Sequence, residues 1–276
     1  MSKRNVLITG CSSGIGQALA QGFANQGDAV IATARKPESM ANLAALGCRT
    51  LALDVNDAQS RQQLADQLSG QTIDILVHNA GISAMGPLLE LPEDKLRGQF
   101  ETNVIAPVLL TRALFPLMRG SSAPLIVNIG SVSGILTTPF AGAYCASKAA
   151  LHAISDAMRM ELAPFGFQVT TVQPGAIQSN FGAAATANVT AWLADNSLYA
   201  AIRDGILARA GASQVNATPA EDFADELVRQ LSAGRAPRET RIGHGSRTFP
   251  ALKRWLPGAR LDRVLSGKFG LDKLTK

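Results

Sequence analysis

Tyr144 and Lys148 stand four residues apart in AYCASKAALHAISDAMRMEL, a stretch whose pattern reads as a helix, so the two side chains share one face. An unperturbed phenol ionises near ~10, and using it as an acid or base near neutrality requires a neighbouring cation to stabilise the phenolate. Lys148 stands where that cation is needed. At about 1.36 kcal/mol per unit, a shift of two or three units takes about 3–4 kcal/mol. An isolated YxxxK pair is also a common surface arrangement, so its meaning depends on the rest of the chain. The same helix carries a row of small residues, Ala146, Ala149, Ala150, Ala153 and Ala157, with Ile154 among them.

A second candidate lies near the start. The apolar run NVLIT, residues 5–9, leads into TGCSSGIG, residues 9–16, and then into a helical pattern. Glycines at 10, 14 and 16 allow a tight turn and close approach of the backbone to a pyrophosphate, and the following helix offers free N–H groups and a positive dipole end. The second apolar run, AVIAT, ends near Ala34, 24 residues after Gly10. An acidic residue there would accept hydrogen bonds from the ribose of NAD. Here Ala34 is followed by Arg35 and Lys36. Loss of the carboxylate removes repulsion against a 2′-phosphate, and a guanidinium can grip that phosphate bidentately. Ser12 offers a further donor, and the pattern points to NADP(H). The competing reading of Arg35 is a solvated residue at a helix start, which the helix dipole would disfavour.

Around these residues, β-rich runs recur at 5–9, 29–33, 49–53, 73–78, 124–129 and 167–172, with helical patterns between them. Ile15, Leu19 and Phe23 illustrate one such helix face. Apolar strands joined by helices predict a doubly wound, Rossmann-type α/β parallel sheet covered on both sides. In ATPAEDFADELVRQL, Thr218 is the expected cap, Pro219 the first helical residue, and Glu221 the partner in a capping box. Residues 176–216 form a long insertion. Without a repeat or low-complexity linker, the reading is one domain, 1–245, with a basic extension, 246–276, belonging to it.

The chain has 276 residues, 46% of them hydrophobic, enough to bury a sizeable core. No apolar run reaches the ~20 residues of a membrane span, and MSKRNVLITG is too short in its apolar part for a signal peptide, so a cytoplasmic location is expected. Cys11, Cys48 and Cys145 form no CxxC pair and have no histidine-rich surroundings; reduced thiols and no metal site are expected. Residues 235–276 hold 11 Lys and Arg against 3 Asp and Glu, a local charge of +8, leaving −3 for the remainder. Such a tail can meet membrane phosphates or nucleic acid, but no interleaving of aromatic and basic residues supports nucleic-acid binding.

Taken together, TGCSSGIG, LDV at 53–55, NAG at 79–81, Asn103 in ETNVIAP, Ser131 in NIGSVSG, YCASK at 144–148 and PGAIQS at 174–179 resemble the short-chain dehydrogenase/reductase family. The resemblance is strongest to its single-domain branch. It implies Tyr144 as proton donor in carbonyl reduction, Ser131 polarising the same oxygen, Lys148 lowering the phenol's pKa and holding the nicotinamide ribose, and Asn103 supporting a water relay. It places Gly10, Ser12, Ser13, Gly14, Ile15 and Gly16 on the pyrophosphate, Asp54 and Val55 near the adenine, and Asn79, Ala80 and Gly81 beside its ribose. Pro174, Gly175, Ile177 and Ser179 fall in the stretch that fixes the carboxamide. His78 replaces the Asn usual before NAG, and Ser179 replaces Thr while keeping the hydroxyl. The family commonly pairs through the helix after Tyr144, implying a homodimer or homotetramer. TGxxxGxG spacing matches its oxidoreductases rather than its epimerases.

The resemblance also places Met85, Leu136, Phe140, Phe181, Trp192 and Tyr199 around the carbonyl. No charged residue occurs between Arg119 and Lys148 or between Glu161 and Asp195, which buried strands explain in part. A mostly apolar chamber favours a hydrophobic ketone or aldehyde over a sugar phosphate. ATARKPE and the tail resemble the hydroxysteroid, retinoid and acyl-dihydroxyacetone-phosphate reductase side of the family. Three roles stay open for TFPALKRWLPGARLDRVL: an amphipathic cap over the pocket, a partner-helix surface, or a peripheral membrane contact, with a proline splitting any helix in two. Alcohol oxidation would use the same residues. A non-catalytic NADP(H) sensor would be marked by loss of Ser131, Tyr144 or Lys148, and all three are present.

Overall fold

In the computed structural model, residues 3–274 are described. Seven parallel strands form one sheet, β1 Asn5–Thr9, β2 Ala29–Ala34, β3 Arg49–Ala52, β4 Ile75–His78, β5 Leu125–Ile129, β6 Gln168–Pro174 and β7 Glu239–Ile242, in the order β3-β2-β1-β4-β5-β6-β7. The helices are α1 Gly14–Asn25, α2 Ala41–Ala45, α3 Ala58–Gln67, α4 Glu93–Phe100, α5 Ala106–Met118, α6 Gly142–Leu162, α7 Phe181–Trp192, α8 Arg203–Gly211, α9 Ala220–Leu231, α10 Thr248–Trp255 and α11 Gly258–Lys268.

Side-chain alternation along each strand divides the core. Val6 and Ile8 face one layer with Val77, Val127 and Val172, where Leu19 and Phe23 of α1 meet Phe223 and Leu227 of α9. Leu7 faces the other layer with Leu76, Ile126 and Val169, where Leu64 of α3 and Leu110 and Leu114 of α5 pack. Both faces of the sheet are thereby covered, as parallel pairing requires. Strand order reverses between β1 and β4, and the carboxyl ends of strands at such a reversal open the crevice in which ligands bind.

β7 was not anticipated. Its sequence ETRI is half polar because it pairs only with β6 and forms an edge, so it lacks the apolar run that marks the other strands. The capping box at Thr218 also fails. The helix begins at Ala220 with Pro219 before it and no side-chain cap. Thr218 is drawn instead into a bridge with Ile177, its N–H donating to Ala176 O at 3.0 Å and its Oγ1 accepting from His244 N at 3.0 Å. Tertiary hydrogen bonds outcompete the local cap.

The insertion contains α7 and α8, and Pro257 separates α10 from α11 as the split-helix reading anticipated. Leu261 of α11 is buried, and Phe269, just beyond it, joins the apolar cluster of α7 and α8. α10 leaves Trp255 76% exposed, and none of its residues joins the apolar cluster around Tyr144. No helix among the described residues is long and apolar enough to cross a membrane. All three cysteines are free and buried.

Phe23 is fully buried where α1 meets α9, and the Arg4 guanidinium lies 5.8 Å from the centre of its ring. Phe23→Ala is expected to lower unfolding free energy by about 3–5 kcal/mol in chemical denaturation.

Candidate active site

The glycine loop connects β1 to α1 at the reversal point. Gly10 and Gly14 have φ of 73° and 57°, the left-handed region that favours glycine. A Cβ on Gly16 would collide with the carbonyl oxygen of Gly10, so the turn closes only without a side chain. α1 starts after Ser13 with no side-chain cap, leaving its first N–H groups available to an anion. This cradle is shaped for a pyrophosphate.

Thr9 ties that cradle to the NAG loop. Its Oγ1 accepts from Asn79 N and Ala80 N, both at 3.0 Å, while Asn79 Nδ2 donates to Thr9 O at 2.9 Å and Gly10 O at 3.1 Å. Cys11 N donates to Thr33 O at 2.9 Å, fastening the loop to β2. Just beyond β2, Arg35 and Lys36 are exposed, and no side-chain hydrogen bond of either, or of Ser12, occurs among the described residues. Leu53 N donates to Ala34 O at 2.9 Å, which brings Asp54 and Val55 beside the same strand end. Across the crevice, Ser179 reaches Gly14: a Cβ on that glycine would lie 2.8 Å from Ser179 Cβ. Pro174 pairs with Ile242 of β7 and Gly175 N donates to Ile242 O at 2.9 Å; just beyond β7, His244 O accepts from Ala176 N at 2.8 Å, and Ile177 bridges to Thr218.

α6 presents Tyr144 and Lys148 to the ends of β4 and β5. Both are buried, and Lys148 Nζ donates to Ile129 O at 2.7 Å, 6.0 Å from the centre of the Tyr144 ring. Ser131 is near enough to the phenol to ease its ionisation. Burial pushes the phenol up to about 12, against the lowering influence of Ser131 and of Arg209. Burial also brings Lys148 down to about 8. In the protein alone the net direction for Tyr144 is upward, because desolvation exceeds the nearby polar help.

Asn103 sits in a π-helical turn, Glu101–Ile105, between α4 and α5. Its Oδ1 accepts from Ile82 N at 3.0 Å, and its Nδ2 donates to Ile82 O at 3.0 Å and Ser147 Oγ at 3.1 Å. Gln99 repeats the motif, donating to Ile82 O at 2.8 Å and Ser147 Oγ at 3.3 Å, with its Oε1 accepting from Ala84 N at 2.5 Å. Gln99 and Ser147 escaped sequence reading because neither residue type signals a bracket until the fold brings them together. A Cβ on Gly81 would meet Asn103 Oδ1 at 3.3 Å and Lys148 Nζ at 3.8 Å, which shows how closely the three converge.

His152, one turn beyond Lys148, supports Ser131 from behind. Its Nε2 accepts from Ser131 N at 3.4 Å, and the absence of side chains at Gly130 and Gly134 leaves room for the ring. Burial first, and then the Lys148 cation, push it down to about 4. His78 is also buried, hydrogen-bonded through Nε2 to Thr111 Oγ1 at 2.8 Å and pushed down by burial to about 3.

The residues assigned to the carbonyl largely converge. Met85, Phe140, Phe181, Trp192 and Tyr199 form one apolar cluster with Tyr144 and Cys145. Phe140 and Tyr199 meet edge to face at 5.8 Å, and Phe181 lies 5.6 Å from Tyr144. Trp192 rests against Gly86, whose N–H donates to Phe140 O at 2.7 Å. Leu136 is buried nearby but outside that cluster, its carbonyl 4.0 Å from Cys145 Sγ. No group of three His, Cys, Asp or Glu side chains suited to a metal occurs among the described residues.

The chain matches the family model described as short chain dehydrogenase over residues 4–190. It is 34% identical to the uncharacterized oxidoreductase YbbO of Escherichia coli (strain K12), over 96% of this chain and 95% of that protein. With the NADPH-dependent 1-acyldihydroxyacetone phosphate reductase of Schizosaccharomyces pombe it shares 36% identity over 96% of this chain and 86% of that protein. A crystal structure of a short-chain dehydrogenase from Streptomyces avermitilis superposes with a TM-score of 0.77 at 31% identity, covering 99% of this chain and 97% of that one.

Two histidines, His78 in the core and the half-buried His152 behind Ser131, set an acid limit on the fold. Both fold with pKa below the ordinary 6.5, so below that pH the unfolded chain takes up protons first and stability falls toward pH 4. The slope reaches about 1.4 kcal/mol per pH unit for each histidine. His78→Gln, which keeps a hydrogen-bond partner for Thr111, is expected to reduce the slope of unfolding free energy against pH in that window.

Proposed function

This chain belongs to the short-chain dehydrogenase/reductase family, an NAD(P)-dependent oxidoreductase acting on alcohol or carbonyl groups, and we propose that it is an NADPH-dependent reductase of a hydrophobic ketone or aldehyde. The observation that carries this reading is the joint burial of Tyr144, Ser131 and Lys148 against an aromatic wall. NADPH, when bound, supplies the hydride for the carbonyl carbon. The glycine loop and the α1 N-terminus hold its pyrophosphate, Asp54, Val55, Asn79, Ala80 and Gly81 line the adenine side, and Pro174 to Ser179 the carboxamide side. Arg35 receives the 2′-phosphate, since Ala34 leaves that corner without a carboxylate.

Tyr144 Oη donates its proton to the substrate oxygen, and Ser131 Oγ donates a hydrogen bond to the same oxygen. His152, accepting from the Ser131 N–H, fixes the main chain from which that hydroxyl extends. Lys148, held by Ile129 O, faces the site as the nearby cation that favours the phenolate when the proton leaves. Asn103, whose polar ends are committed to Ile82 and Ser147, supports proton supply by keeping the floor beneath Lys148 in place. Met85, Phe140, Phe181, Trp192 and Tyr199 exclude water and receive the apolar body of the substrate. The Schizosaccharomyces pombe relative is named as an NADPH-dependent 1-acyldihydroxyacetone phosphate reductase, which agrees with the reductase assignment. Ala146, Ala149 and Ala153 form an exposed stripe on α6, which supports pairing with a second copy.

Tyr144→Phe is expected to lower kcat by about 100-fold or more while NADPH still binds; retention of most turnover would remove the proton-donor assignment. Arg35→Ala is expected to raise the KM for NADPH by about 10- to 100-fold with little change for NADH. Equal effects on both cofactors would return Arg35 to a solvated role.

A further inference from the structure

α8 buries a charge that the mechanism above does not use. Arg209 is only 8% exposed, and its Nε donates to Thr138 Oγ1 at 2.5 Å. Cys145 and Tyr144 are both near enough to the guanidinium to respond to its charge. Ile206 and Ala210, its neighbours on α8, pack with Phe140, Tyr144 and Cys145 in the apolar wall of the site.

No aspartate or glutamate among the described residues pairs with it. Burial lowers its affinity for a proton, yet a guanidinium stays charged in proteins. A hydroxyl and a thiol do not neutralise a buried cation, and such a charge is expensive unless an anion meets it. The part-buried Arg4 meets such an anion, Asp28, at 2.6 Å, while Arg61, as deeply buried as Arg209, donates to the Val55 carbonyl at 2.7 Å. The bond to Thr138 also uses Nε alone, leaving the terminal nitrogens that form the bidentate fork for phosphate or carboxylate.

We propose that Arg209 is the specificity-determining residue of the substrate chamber, receiving an anionic group, phosphate or carboxylate, on a carbonyl compound whose remainder is apolar. The proposal rests on the reductase reading and narrows its substrate class. The aromatic cluster holds the apolar body, and Arg209 selects chains that also carry a negative charge. Sequence reading missed this residue because the uncharged interval it weighed ended at Asp195, one helix earlier.

The test uses long-chain ketones of matched length ending in phosphate, carboxylate or neutral methyl ester, with the full-length protein and NADPH. Wild type is expected to favour the anionic ketones, and the better of the two identifies the anion. Arg209→Met is expected to lower kcat/KM for anionic ketones by about 30-fold or more and for the neutral ester by less than about 3-fold. Arg209→Lys, which keeps the charge but not the fork, is expected to fall between, and it remains informative if the Met variant does not fold. An equal loss on all three ketones, with a shifted pH profile, would assign Arg209 to the ionisation of Tyr144 and overturn the proposal. Unchanged kcat/KM in both variants would overturn it as well. A separate titration of an unreactive alkyl phosphate by calorimetry, without turnover, is expected to show binding to wild type that weakens in Arg209→Met. If no ketone is reduced at all, the reductase reading fails while this titration still decides the role of Arg209.

Discussion

The structure depends on keeping a phenol and an ammonium group out of water at the carboxyl ends of β4 and β5. Burial opposes the charged form of each, raising Tyr144 to about 12 and lowering Lys148 to about 8. Desolvation alone would leave an inert pair. What makes the arrangement responsive is that Lys148 is fixed to Ile129 O, Ser131 adjoins the phenol, and any further positive charge entering the crevice meets a low-dielectric environment in which it acts strongly. The bracket of Gln99, Asn103 and Ser147 and the support of His152 behind Ser131 exist to hold these few groups in register.

The fold reached this arrangement by means that were largely readable from the chain. Continuous apolar strands and intervening helical faces identify a parallel sheet because a strand covered on both sides has no polar face to show. TGCSSGIG and the YxxxK spacing were legible because glycine geometry and helix periodicity are local properties. β7 was not, since an edge strand tolerates Glu239 and Arg241 and sends no apolar signal. The cap expected at Thr218 failed for a related reason: the hydroxyl that a short stretch offers to its own helix was taken by His244 N, 26 residues away. Brackets such as Gln99 with Ser147 are invisible until tertiary structure joins them.

The chamber combines two demands that composition alone set against each other. Uncharged flanks around α6, which buried strands explain in part, suggested a pocket for a hydrophobic ketone or aldehyde rather than a sugar phosphate, and the cluster of Met85, Phe140, Phe181, Trp192 and Tyr199 agrees with an apolar wall. Arg209 adds one fixed charge to that wall. A buried cation in apolar surroundings discriminates more sharply than an exposed one, because desolvation enlarges both the reward for a matching anion and the penalty for its absence. The extension contributes through Phe269, which packs in the same cluster and backs α8 where Gly205 meets the Phe269 main chain.

On the proposed reading, Tyr144 is a buried phenol made acidic by charge brought into its site. With only two tyrosines in the chain, Tyr144 and Tyr199, magnetic resonance of tyrosine labelled at its hydroxyl-bearing carbon reads the ionisation directly, and Tyr144→Phe assigns the signals. The account predicts no ionisation of Tyr144 in the protein alone up to the alkaline limit of the fold, and a fall of at least about two units when NADP+ is added. A Tyr144 signal that titrates like an ordinary phenol near ~10 in both states would contradict it.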